Sequence, residues 1–272
     1  MGKKSSKKPA GSLMSSKKLM TVAMIALMCS WVLISVIAMQ FAIGMIMVSF
    51  LGKEGMSQPI WIAIYSALSY ALAGALIVFV PAECLKRWRD HHSSKKAKKE
   101  LEVLDLGTSR VELGLRGWPT WTDIGFSPLG LVVSLLLAAG LVMIFSLLPW
   151  FDAEQAQDVG FNAYISGFDR IIAFITLIVI APIAEEIIFR GWLYGKIRKK
   201  LNKLPEWGSI IISTLIVSIV FGVMHGQWNV GLIVGIMSVI MCIQRELTGT
   251  IWSGILLHMI KNGMAFYLLF VR

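Results

Sequence analysis

Seven stretches of the chain are apolar for long enough to cross a bilayer, and polar residues are confined to the segments between them. The stretches run over Leu19–Leu51, Pro59–Val80, Pro128–Phe151, Ile171–Tyr194, Ser209–His225, Val230–Ile243 and Thr250–Val271. A span of the hydrocarbon core needs roughly 20 such residues over about 30 Å. In lipid an isolated segment satisfies its backbone only as a helix. The pattern therefore predicts an all-α fold, a polytopic transmembrane helical bundle of about seven spans. It divides into a basic tail at 1–18, three N-terminal spans over 19–151, and a helical core over 171–270. The longest polar stretch, 85–124, reads as a basic loop, with room for an amphipathic helix lying on the membrane surface.

Composition agrees, with 56% hydrophobic residues. Charge then orients the bundle. The 26 basic and 16 acidic residues leave a net +10, which by itself would suggest nucleic acid. The basic residues instead cluster in the tail, in Lys86–Arg116 and in Lys196–Lys203, whereas the loop from Asp152 to Asp169 holds four acidic residues and no base. Such a distribution faces anionic lipid, so membrane lipid and not nucleic acid is the expected partner. The positive-inside rule puts the N-terminus in the cytoplasm and, with seven spans, the C-terminus outside.

Terminal signals change little. The basic tail followed by an apolar run resembles a secretory leader, but the run is too long and lacks a small-residue cleavage site, so it reads as a retained first span. The opening MGKKSS fits a myristoylation pattern that adds little to a chain already held by several spans. Cys29, Cys84 and Cys242 are scattered without a CxxC, which argues against a disulfide framework or a cysteine metal site. No Asn-x-Ser/Thr sequon is present, which fits a bacterial plasma membrane better than the endoplasmic reticulum.

The chemistry stands out against this apolar background. Glu185 and Glu186 lie side by side in IVIAPIAEEIIFRGWLYG, with Arg190 following. A charge at mid-bilayer costs about 2.5 to 3.5 kcal/mol even on lenient scales, so such residues mark sites with partners. Glu186 and Arg190 are an i,i+4 pair and can neutralise each other as a structural ion pair. Glu185 points about 100° away on the helix and needs a different partner. Two of the four histidines, His225 and His258, fall in other apolar spans, and Asn262 is one turn beyond His258 on the same face. A lone buried histidine is ordinarily a hydrogen-bonded core residue; Glu185, His225, His258 and Asn262 together point to a shared polar site. By contrast His91 and His92 read as a solvated loop, and Gln244, Arg245 and Glu246 as an ordinary cytoplasmic turn. The glycine pairs Gly222/Gly226 and Gly231/Gly235 suit close helix packing. A count of residues places His225 near the outer end of its span and Glu185 near mid-depth. They meet only if a short hairpin at Gly226–Asn229 dips into the protein.

The order EExxxR (Glu185, Glu186, Arg190), FxxxH (Phe221, His225) and HxxxN (His258, Asn262), each on its own apolar segment, resembles the CPBP family of intramembrane proteases. That family covers type II CAAX prenyl endopeptidases and the Abi, or bacteriocin-processing and immunity, proteins. The resemblance spans Ile171 to Phe270, about the last third of the chain. It implies hydrolysis of membrane-associated peptides or proteins. Glu185 and His225 would activate water, His258 and Asn262 would stabilise the oxyanion, and Glu186, Arg190 and Phe221 would support them. It leaves zinc open: Glu185, His225 and His258 are ligand types, the HExxH pattern is missing, and the same residues suffice for a metal-free glutamate mechanism. The other readings are a non-catalytic scaffold or bacteriocin-immunity factor and, more weakly, a proton-coupled transporter, for which no broken, repeat-related helix pair is visible.

Overall fold

The computed structural model describes residues 16–91, 108–152 and 167–272. Residues 1–15 of the basic tail, residues 92–107 of the polar stretch, His92 among them, and most of the acidic loop lie outside the described residues. Those described form seven helices long and apolar enough to span a membrane and contain no strand. We label them α1 (Ser16–Met56), α2 (Pro59–His91), α3 (Trp121–Phe145), α4 (Gly167–Lys200), α5 (Glu206–Val223), α6 (Trp228–Thr248) and α7 (Trp252–Phe270).

The number of spans is as the apolar runs predict, while several ends differ for local reasons. Helix α1 continues past Leu51 to Met56, with Gly52 at a φ of 67° bending it near its end. Helix α2 carries Pro81 inside and runs on to His91. Helix α3 begins seven residues before Pro128, at a capping box in which the Thr120 hydroxyl accepts from the Asp123 N–H and Asp123 accepts from the Thr120 N–H. It ends at Phe145, not Phe151. The largest correction concerns Gln244, Arg245 and Glu246, which form the last turns of α6 and not a loop. Gln244 donates to the Phe126 carbonyl and Arg245 to the Gly191 and Glu112 carbonyls. Glu246 accepts from Arg198 at 2.8 Å. The segment looked like a turn because three polar residues close the apolar run; each finds its partner on another element.

Packing sets α4 at the centre. It touches α1, α2, α5, α6 and α7, while α3 closes the far side against α6 and α7. Association of helices in lipid depends on close contact and polar links more than on apolar burial. The closest approach joins α5 to α6: a Cβ at Gly222 would lie 2.6 Å from the Gly231 carbonyl oxygen, and one at Gly231 would lie 2.7 Å from that of Gly222. One glycine from each predicted pair thus meets the other, and Gly226 serves the intervening turn with a φ of 67°. Large apolar side chains such as Phe41, Phe50, Leu136 and Met143 point outward, as a lipid-facing surface requires. Exposed tryptophans mark both ends: Trp118, Trp121 and Trp207 at the basic end, Trp150 and Trp228 at the other.

Candidate functional site

Helix α4 is not uniform. It widens into π-helical turns over Ile175–Ile180 and again over Ile187–Tyr194, leaving Ala181–Glu186 as a short α-helical piece between them. Such widened turns frequently occur at functional sites. Pro182 accounts for one consequence. In the first wide segment the Ala181 N–H reaches back five residues to the Thr176 carbonyl. The next acceptor in that register, the Leu177 carbonyl, falls to position 182, where proline has no N–H. The carbonyl is taken instead by the Asn262 side chain of α7, whose Nδ2 donates at 2.9 Å. A sequence-local defect thereby holds a polar residue of another helix.

Four ionisable groups then meet within the membrane. Glu186 is fully buried, and its Oε1 accepts from Arg190 Nη1 at 2.9 Å and from His258 Nδ1 at 3.2 Å. Because an ionised carboxylate can only accept, the ring proton of His258 belongs on Nδ1 in this arrangement. Its Nε2 turns to Glu185, 3.8 Å from Oε2. The imidazole thus sits between the two glutamates. Arg190 also stacks over Phe221, with its guanidinium carbon 4.2 Å from the ring centroid. Glu185 keeps a buried oxygen, Oε2, with no hydrogen-bond partner.

His225 occupies the α5–α6 turn at the predicted hairpin, where its N–H bonds to the Gly222 carbonyl. Its Nδ1 lies 2.9 Å from the Phe221 carbonyl. A carbonyl only accepts, so Nδ1 is the donor and Nε2 is left as the basic nitrogen. Its ring also meets Phe221 edge to face at 5.0 Å. Phe221 therefore touches both imidazoles and Arg190, a fuller part than its place in the motif suggested.

A cavity of about 250 Å³ joins these groups; its walls include Glu185, Phe221, His225, His258 and Asn262. Glu186 and Arg190 are not among its lining residues. Among the further polar residues that face it, two lie in electrostatic range of Glu185 and were passed over by sequence reasoning. Tyr70 of α2 lies in hydrogen-bonding and coulombic range of Glu185, and Lys261 of α7 in coulombic range. A signal existed for each. Ser66 and Tyr70 are one turn apart on the same face of α2, and a lysine inside an apolar span is as costly as a glutamate.

Zinc requires three or four converging ligands. Among the described residues no group of three or more His, Cys, Asp or Glu side chains is placed to hold a metal ion. His258 turns Nδ1 to Glu186, which Arg190 holds, and its Nε2 faces Glu185.

Fold and site together define a multi-pass helical membrane protein with carboxylates and imidazoles gathered between its spans. Residues 167–264 match the family model of the type II CAAX prenyl endopeptidase Rce1-like domain, and the chain carries that domain there. The match contains every residue of the EExxxR, FxxxH and HxxxN motifs and is the domain of a CAAX-type intramembrane protease family. No curated protein and no solved structure matches the chain. Helices α1 to α3 lie outside the matched region, yet α1 and α2 supply Val36, Gln40, Ser66 and Tyr70 to the cavity wall.

Proposed function

We propose that the protein is an intramembrane endopeptidase that hydrolyses membrane-associated peptides or proteins by a glutamate-dependent, metal-free route. The observation that carries this reading is the unequal placement of the adjacent glutamates: each keeps a buried Oε2 without a hydrogen-bond partner, but Glu186 pairs with Arg190 away from the cavity, whereas Glu185 lines it. An acceptor of that kind suits a water molecule bound for attack.

In the proposed step Glu185 takes a proton from water as the water oxygen attacks the peptide carbonyl carbon. His225 Nε2 accepts a hydrogen bond from the same water and helps to hold it. The carbonyl π electrons move to oxygen, and the resulting oxyanion is met by the second N–H of Asn262 and by the Nε2–H of His258 in its imidazolium form, since the neutral ring donates only from Nδ1, to Glu186. Collapse breaks the C–N bond, and the proton on Glu185 passes to the leaving amine. Tyr70, beside Glu185, orients the carboxylate from α2. The absence of sequons and the placement of basic loops support a bacterial plasma membrane with a cytoplasmic N-terminus.

The test is cleavage of small membrane peptides by the full chain in liposomes, with and without a chelator. Glu185→Gln is expected to lower turnover by about 10²- to 10⁴-fold or more at unchanged protein level. Chelator is expected to leave wild-type cleavage intact, and sensitivity to it would overturn the metal-free route. Equal activity of wild type and Glu185→Gln would leave a binding scaffold as the better account of the pocket.

A further inference from the structure

The cavity occupies one half of the bundle only. Helix α4 lines it from Thr176 to Phe189, α7 from His258 to Phe270, and the α5–α6 turn adds Met224, His225 and Gln227. Helix α4 begins at Gly167 at that end and finishes in the basic run at Lys200, while α5 and α7 start from the basic end at Glu206 and Trp252. The walls therefore belong to the half remote from Lys196–Lys203.

The other half has a cavity of its own, about 580 Å³ with Glu112, Gly191 and Trp192 in its wall, which shares no lining residue with the one at Glu185. Between the glutamates and the basic end, Trp192, Leu193, Ile197, Met241, Cys242 and Leu257 are each no more than 1% exposed. The segment before α3 seals the exit. Leu113 is buried against Gly191, where a Cβ would meet its Cδ2 at 3.2 Å, and the Gly114 carbonyl accepts from the Ile251 N–H at 3.1 Å. Close packing of these residues separates the basic-end cavity from Glu185.

We propose that substrate reaches Glu185 from the end opposite the basic loops, which the positive-inside rule makes the external face. The substrate class that fits is a membrane-inserted peptide whose scissile bond lies in the outer half of the bilayer, such as the external end of a transmembrane segment. A lipidated tail held on the cytoplasmic face would meet the packed end instead. This inference rests on the endopeptidase reading for its substrate, but not for its direction of access.

Access is tested without turnover. In the full chain with Cys29, Cys84 and Cys242 replaced by alanine, Ala265→Cys places a thiol on the cavity wall one turn beyond Lys261, and Trp118→Cys places one at the basic end. A membrane-impermeant thiosulfonate is added to sealed right-side-out and inverted vesicles. The thiol of Ala265→Cys is expected to react more than an order of magnitude faster in the orientation in which that of Trp118→Cys does not. Reaction of both from one side, or of Ala265→Cys from neither, overturns the proposal. Single-span reporters with a cleavable stretch on one side or the other then test the substrate class. Cutting is expected only on the side that exposes Ala265→Cys; cutting on the basic side, or on neither, overturns it. In detergent, where the sides vanish, both reporters should be cut in a Glu185-dependent manner. Lack of cutting there is a failure of the endopeptidase reading itself.

Discussion

Glu185 and Glu186 share a sequence neighbourhood and the imidazole of His258, but only Glu186 pairs with an arginine and only Glu185 lines the cavity. Glu186 and Arg190 form a pair in which neither side chain is more than 1% exposed, and His258 adds a second bond to the same oxygen. Removing one partner of a buried pair typically costs about 3–5 kcal/mol, because a charge remains without compensation. Arg190→Met should therefore lower the unfolding temperature in detergent strongly, whereas the double variant Arg190→Met/Glu186→Gln should recover much of the loss. A thermal double-mutant cycle measures that coupling. Glu185, Glu186, Arg190, His225 and His258 were legible in the sequence because each interrupts an apolar run; Lys261 interrupts one too and was passed over. Tyr70 was not legible, since a tyrosine in a span reads equally well as packing, and only the fold brings α2 against Glu185.

Within α4, the wide turns and Pro182 were invisible to a reading based on apolar periodicity, because apolar residues surround the whole segment and hide any change of pitch. Their effect is nevertheless local and testable. Pro182→Ala restores an N–H in reach of the Leu177 carbonyl and competes with Asn262 for it. Relief of a proline in a helix interior favours the helix by up to about 3 kcal/mol, so the variant should melt no lower than wild type. Cleavage should fall by up to about 10²-fold as Asn262 loses its anchor, which kcat/KM compared with melting temperature would reveal. Helix ends were the least legible feature. The start of α3 was set by the Thr120–Asp123 cap and not by Pro128, and α6 outran its apolar run because Gln244, Arg245 and Glu246 bond to other elements.

Across the whole molecule, the segment 108–117 ties the N-terminal helices to the matched domain. Arg245 donates to the Glu112 carbonyl at 2.8 Å, Lys199 donates to its side chain at 3.1 Å, and Trp252 donates to the Gly117 carbonyl at 3.1 Å. Partial burial alone would raise the pKa of Glu112, favouring the neutral form. The Ser109 N–H and the Lys199 ammonium outweigh it and hold the carboxyl below its usual value. A depressed value means that the carboxylate stabilises the fold at neutral pH and that this contribution is lost as pH falls through the folded value. The effect is small, about 0–1 kcal/mol for so exposed a pair. Exchange protection at Leu113–Leu115, taken relative to the intrinsic rate at each pH, should fall in acid, and Glu112→Gln should remove that loss. The two tiers of tryptophan carry a different implication. Indoles at Trp118, Trp121 and Trp207 on one side and at Trp150 and Trp228 on the other anchor the bundle to both headgroup layers at a fixed separation. In a bilayer of shorter acyl chains the molecule must tilt or thin the lipid around it. The depth at which a peptide meets Glu185 is then a property shared between protein and host membrane, and lipid thickness becomes a selector of the bond that is presented.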